Sequence, residues 1–158
     1  MDRLFDEYER PIRIRNYKLA CVLVGVFMPA GASLDFAVYK LTTMWQFLPA
    51  RVLSAALLVV VWFGLDRFGN KPVYRLLGLM VAIIPLLSIS WMIFTKEGAT
   101  SPYYAGLNLV MLGSALLLRW TLEDSILIFC LTLVAYLVAS LAQGPVQDGG
   151  LFFNNLYF

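Results

Sequence analysis

Six residues with polar groups stand in or beside long apolar stretches: Asp35, Tyr103, Tyr104, Asn108, Asn154 and Asn155. Their types suit recognition rather than bond-making. A carboxylate, two phenols and three amides can hold or gate a ligand by hydrogen bonding, but none is an activated nucleophile. The chain has no histidine, which excludes a His-ligated haem, a His-containing metal site and a Ser or Cys nucleophile with a histidine base. GNKP at 69–72 lacks both the spacing and the Ser or Thr of a phosphate loop. No catalytic, cofactor-binding or metal-ligating residue is assigned, and no cofactor is expected in these residues.

Asp35 has two readings. An acid inside a membrane span is costly and faces a bundle interior or polar cavity; a gating or ligand role fits that. An ion pair with Lys40 or Arg51 at the membrane interface fits equally. Asn108 needs a partner across the bundle, a bond contributing about 1 kcal/mol. Asn154 and Asn155 point about 100° apart on a helix, so at least one faces the bundle, a partner copy or a polar pocket. Tyr103 and Tyr104, with Trp45 and Trp91, read as an external aromatic belt; Tyr74 and Trp120 read as the internal one. Pro29 and Pro85 each remove a helical hydrogen bond and kink their spans. Glu123, Asp124 and Arg119 read as a compact charged turn, with the acids at a helix start.

The elements that carry these residues are apolar blocks. The chain is 61% hydrophobic and 14% charged, with mean hydropathy +0.78, where a soluble domain is about a quarter charged. Blocks at 19–39, 52–65, 73–94, 103–118 and 125–142 approach the length of a spanning helix, and none alternates as a barrel strand would. Single strands cannot be used in lipid because their backbone groups stay unpaired. The final LFFNNLYF, 151–158, covers about 12 Å of a layer about 30 Å thick. It reads as the start of a sixth helix whose remainder is missing. The expected fold is all-α: a polytopic transmembrane helical bundle of five complete spans plus the start of a sixth. Residues 1–18 form a cytoplasmic basic lead, and 19–158 the bundle, truncated within the sixth helix.

Charge sets the expected orientation. With the N-terminus in the cytoplasm, nine basic residues lie inside (Arg3, Arg10, Arg13, Arg15, Lys18, Arg67, Lys71, Arg75, Arg119) and three outside (Lys40, Arg51, Lys96). That bias follows the positive-inside rule. A net charge of +2 gives no support to a nucleic-acid partner. Cys21 and Cys130 lie in apolar blocks and read as small packing residues. The external segments 39–49, 95–102 and 143–150 are too small for a soluble ligand-binding domain. A signal would be amphipathic, a membrane property, or a small species entering between helices. A small transporter or a membrane scaffold are the competing classes; one acid in the spans and no basic residue near the midplane argue against transport.

The lead DEYERPIRIRNYK, the span FMPAGASLDF, the loop GLDRFGNKPVYRLLG, the segment SPYYAGLNLVMLG, the LLLRW turn and the terminal FFNNLYF together resemble the six-helix N-terminal membrane sensor region of bacterial sensor histidine kinases. Class III adenylate and guanylate cyclases and a quorum-sensing autoinducer receptor kinase have a related layout. The resemblance implies a bacterial inner-membrane input module for two-component signalling, embedded in the lipid bilayer and homodimeric through the sixth helix and its continuation. It also implies an ATP-using output domain beyond Phe158. No ligand-contacting residue matches by motif.

Overall fold

Residues 47, 51, 54, 58, 61 and 65 recur at spacings of four and three, and each is buried. That period makes one stripe of a helix. In the computed structural model the stripe is the inner face of α3 (Leu41–Arg67). The outer face carries Val52, Leu53, Val59, Val60 and Phe63, all exposed. A helix exposing such residues has lipid as its solvent.

The structure describes residues 2–39, 41–68, 71–96, 98, 101–142 and 150. α1 (Asp2–Ala30) and α2 (Ala32–Tyr39) are two segments of one helix broken at Gly31. The Gly31 N–H still donates to the Phe27 carbonyl and the Asp35 N–H to that of Gly31. α3 is followed by α4 (Lys71–Thr95), α5 (Tyr104–Leu117) and α6 (Leu122–Leu141). α4 lies centrally and packs against α1, α3, α5 and α6.

The expectation of five complete spans plus the start of a sixth is therefore corrected. Among the described residues there are five helices, of which four are long and apolar enough to cross a membrane. The fifth, α5, has 14 residues and covers about 21 Å of a layer about 30 Å thick. Local chemistry shortens it. Its chain turns extended at Leu118, and Thr121 closes a capping box with Asp124 that starts α6. LFFNNLYF, with Asn154 and Asn155, lies outside the described residues.

The two ends of the bundle differ. At one end Tyr17 packs with Leu58, Val61, Leu65, Tyr74, Val81 and Leu118. Its ring lies so close to α4 that a Cβ on Gly78 would meet Tyr17 Cδ2 at 2.9 Å. Lys18 pairs with Asp66 at this end and lies 5.3 Å from the Trp62 ring centroid. Arg75 Nε donates to Asp124 Oδ1 at 2.8 Å, and Thr121 Oγ1 donates to Asp124 Oδ2 at 2.9 Å. The partner of Asp124 is thus Arg75 on α4, across the bundle, rather than Arg119 in its own turn. Tyr74 is buried and Trp120 packs against the core, so neither forms the expected belt. At the opposite end Met28, Leu86, Ile89, Ile93, Leu107, Tyr136 and Ala139 form the second core. Trp45 and Trp91 are exposed there, as interfacial anchors are.

Candidate functional site

Asp35 and Arg51 occupy facing positions on the buried stripes of the broken first helix and α3. Asp35 is 1% exposed and Arg51 7%. Arg51 Nε donates to Asp35 Oδ2 and Nη2 to Oδ1, both at 2.8 Å. Such a fork is the strong form of carboxylate pairing. Nη1 donates to the Met28 carbonyl at 3.1 Å, just before the helix break. Tyr103, beside the N-terminus of α5, donates its hydroxyl to Asp35 Oδ1 at 2.7 Å. Three chain segments are therefore tied through one carboxylate.

The cluster lies within two candidate membrane spans, Asp35 in Tyr8–Ala37 and Arg51 in Met44–Arg67. Arg51 is six residues from Trp45, about 9 Å along α3, and fifteen from Asp66, about 22 Å. A buried charge at that depth requires a partner held in good geometry. Phe47 supports the partner: its ring meets Tyr103 edge-on at 5.6 Å and Trp91 at 5.7 Å.

Gly31 supplies the space. A Cβ there would overlap Arg51 Nη1 and come within 2.9 Å of the guanidinium carbon. Gly25, one and a half turns earlier, has open space around its Cβ direction. We expect Gly31→Ala to destabilise the protein by about 1–3 kcal/mol through overpacking. Gly25→Ala should be neutral or stabilising by up to about 1 kcal/mol. Thermal unfolding of the two variants in lipid nanodiscs checks this; equal midpoints would contradict the close fit at Gly31.

A cavity of about 670 Å³ runs from this cluster along α1, α4 and α5. On α1 its lining extends from Ala20 to Met28 and on through Gly31 to Asp35; on the α5 side it extends from Pro102 to Leu118. About fifteen residues on either side correspond to about 22 Å. Val81, Ala82, Pro85 and Ile89 of α4 form the floor. Phe27 and Leu109, both outward-facing, stand at the mouth between α1 and α5. The polar side chains of the lining are Asp35, Arg51 and Tyr103 at one end and Ser114 near the other. Ser114 donates to the Met111 carbonyl of its own helix.

Of the residues singled out from sequence, Asp35 and Tyr103 meet at this cavity. Tyr104 packs in the second core and Asn108 is half-buried on α5; neither lines the cavity. Arg51 and Gly31 are the residues that sequence reasoning underrates. The signal for Arg51 is its place in the buried stripe of α3. Among the described residues no group of three Cys, Asp or Glu side chains is arranged to hold a metal ion.

The MASE8 family model matches residues 33–158, most of the chain, including Asp35, Arg51 and Tyr103. The chain belongs to the MASE8 family. MASE domains are membrane-associated sensor domains linked to bacterial signal-transduction proteins. The protein is thus a helical, membrane-spanning, sensor-type module of the MASE8 family. No curated protein and no solved structure matches it.

Proposed function

We propose that this MASE8 module is the input half of a bacterial sensor histidine kinase and detects an amphipathic, membrane-derived signal in the α1–α5 cavity. One observation carries the reading: an apolar cavity, lined in part by the outward-facing Phe27 and Leu109, ends at a buried polar cluster that ties α1, α3 and α5 together. An occupant that changes the spacing of α1 and α5 alters that cluster, the kind of two-state rearrangement packed helices transmit. The kinase output, its use of ATP and homodimerisation are supported by the resemblance of the layout. The N-terminus is cytoplasmic in this proposal, supported by nine basic residues on that side against Lys40 and Lys96 on the other, Arg51 being within its span.

Sealed inside-out membrane vesicles test output and orientation together. The full-length protein should incorporate phosphate from ATP as phosphohistidine. An impermeant maleimide should label Arg67→Cys and not Ala142→Cys, each in a background without Cys21 and Cys130. Cyclic nucleotide formation without phosphohistidine would replace the kinase by a cyclase. Labelling at 142 alone would reverse the orientation.

A further inference from the structure

We propose that the α1–α5 cavity takes a free single-chain amphiphile whose head is uncharged and accepts hydrogen bonds. The proposal deepens the reading of this cavity as the signal site and rests on it. The head would lie against Asp35, Arg51 and Tyr103, with the tail along α1 and α5 toward Leu118.

Charge decides the head. The carboxylate and guanidinium already neutralise each other through two hydrogen bonds. A guanidinium has five N–H donors; bonds to Asp35 and Met28 use three of them. Two N–H groups remain outside these bonds for a carbonyl, amide or hydroxyl oxygen. An anionic head would sit beside the Asp35 carboxylate with no net countercharge. A cationic head would meet the Arg51 guanidinium. Either leaves a charge uncompensated where water is scarce.

Volume and shape decide the tail. A cavity of about 670 Å³ holds about twenty heavy atoms at roughly 30 Å³ each, the share of a water in the liquid. One chain of about sixteen carbons with a small head fills it, and a diacyl phospholipid exceeds it about twofold. The cavity's length of about 22 Å, with polar side chains concentrated at one end, matches one extended chain.

The test uses the full-length protein in phosphatidylcholine nanodiscs and three single-chain probes: N-hexadecylacetamide, heptadecanoate and hexadecyltrimethylammonium. N-hexadecylacetamide should bind at least about tenfold more tightly than either charged probe, since both charged heads carry the desolvation cost. Gly113 lines the cavity and has open space around its Cβ direction, so Gly113→Leu should place its side chain across the path of the tail and abolish binding. Gly25→Leu, outside the lining, should bind as the unmodified protein does. If heptadecanoate binds as tightly as the amide, and Gly113→Leu still abolishes both, the neutral-head inference falls while the cavity reading stands. If no probe binds, or Gly113→Leu binds all probes unchanged, the cavity reading falls too. Phospholipid that co-purifies with the protein and is lost in Gly113→Leu would overturn the single-chain assignment.

Discussion

Replacing Arg51 by Met should destabilise the bundle by about 3–5 kcal/mol, the cost of leaving one member of a buried pair without its partner. Three things fail at once in this variant. The Asp35 carboxylate loses its countercharge, the Met28 carbonyl loses its donor, and Tyr103 is left bonding to an acid whose position nothing fixes. Asp35→Asn with Arg51 intact should cost a similar amount for the mirror-image reason. The double variant Asp35→Asn, Arg51→Met removes both charges and keeps an amide oxygen for Tyr103 to bond. It should recover most of the loss, because neutral replacements of buried pairs are well tolerated. Unfolding free energies for the four proteins give the coupling energy directly. If the double variant lost the sum of the single losses, Asp35 and Arg51 would be independent, and the account of the cluster as one clasp would fail.

How far the sequence shows this depends on the residue. The apolar blocks identify helices because hydropathy over a window needs no knowledge of neighbours. Asp35 stands out because an acid amid FMPAGASLDF needs a partner, and Arg51 is within reach as a candidate. The burial of Arg51 is less visible, since it stands just before the apolar block 52–65, where an interfacial position is equally natural. The length of α5 is hidden because 103–118 carries no charge and is mostly apolar. What ends the helix is the extended turn after Leu117 and the capping box of Thr121 with Asp124, neither a matter of hydropathy. Trp120 and Tyr74 read as interfacial anchors by type and position along the chain, yet both pack inward. The cavity is not legible at all. Its lining draws on α1, α3, α4 and α5, and periodicity gives the face of each helix without saying which helices face each other.

Gly25 and Gly113 give the clearest test of function, because the same change at each differs in one respect. Neither Cβ direction meets an atom within 4 Å, so leucine at either position should leave the fold in place and improve helix propensity. Only Gly113 lines the cavity. If the cavity is where the signal acts, a side chain wedged into it should hold α1 and α5 in one arrangement and fix the output. Coupling between a ligand site and a distant output is typically about 5- to 150-fold, so Gly113→Leu should move output by at least about fivefold, up or down.

The decisive measurement is the signalling output of the full-length protein in its native membrane for Gly113→Leu, Gly25→Leu and the unmodified chain at equal expression and equal thermal stability. The account predicts a fixed output, displaced at least about fivefold, in Gly113→Leu, and an output within about twofold of the unmodified protein in Gly25→Leu. Indistinguishable output from the two variants would contradict the claim that this cavity is the input site.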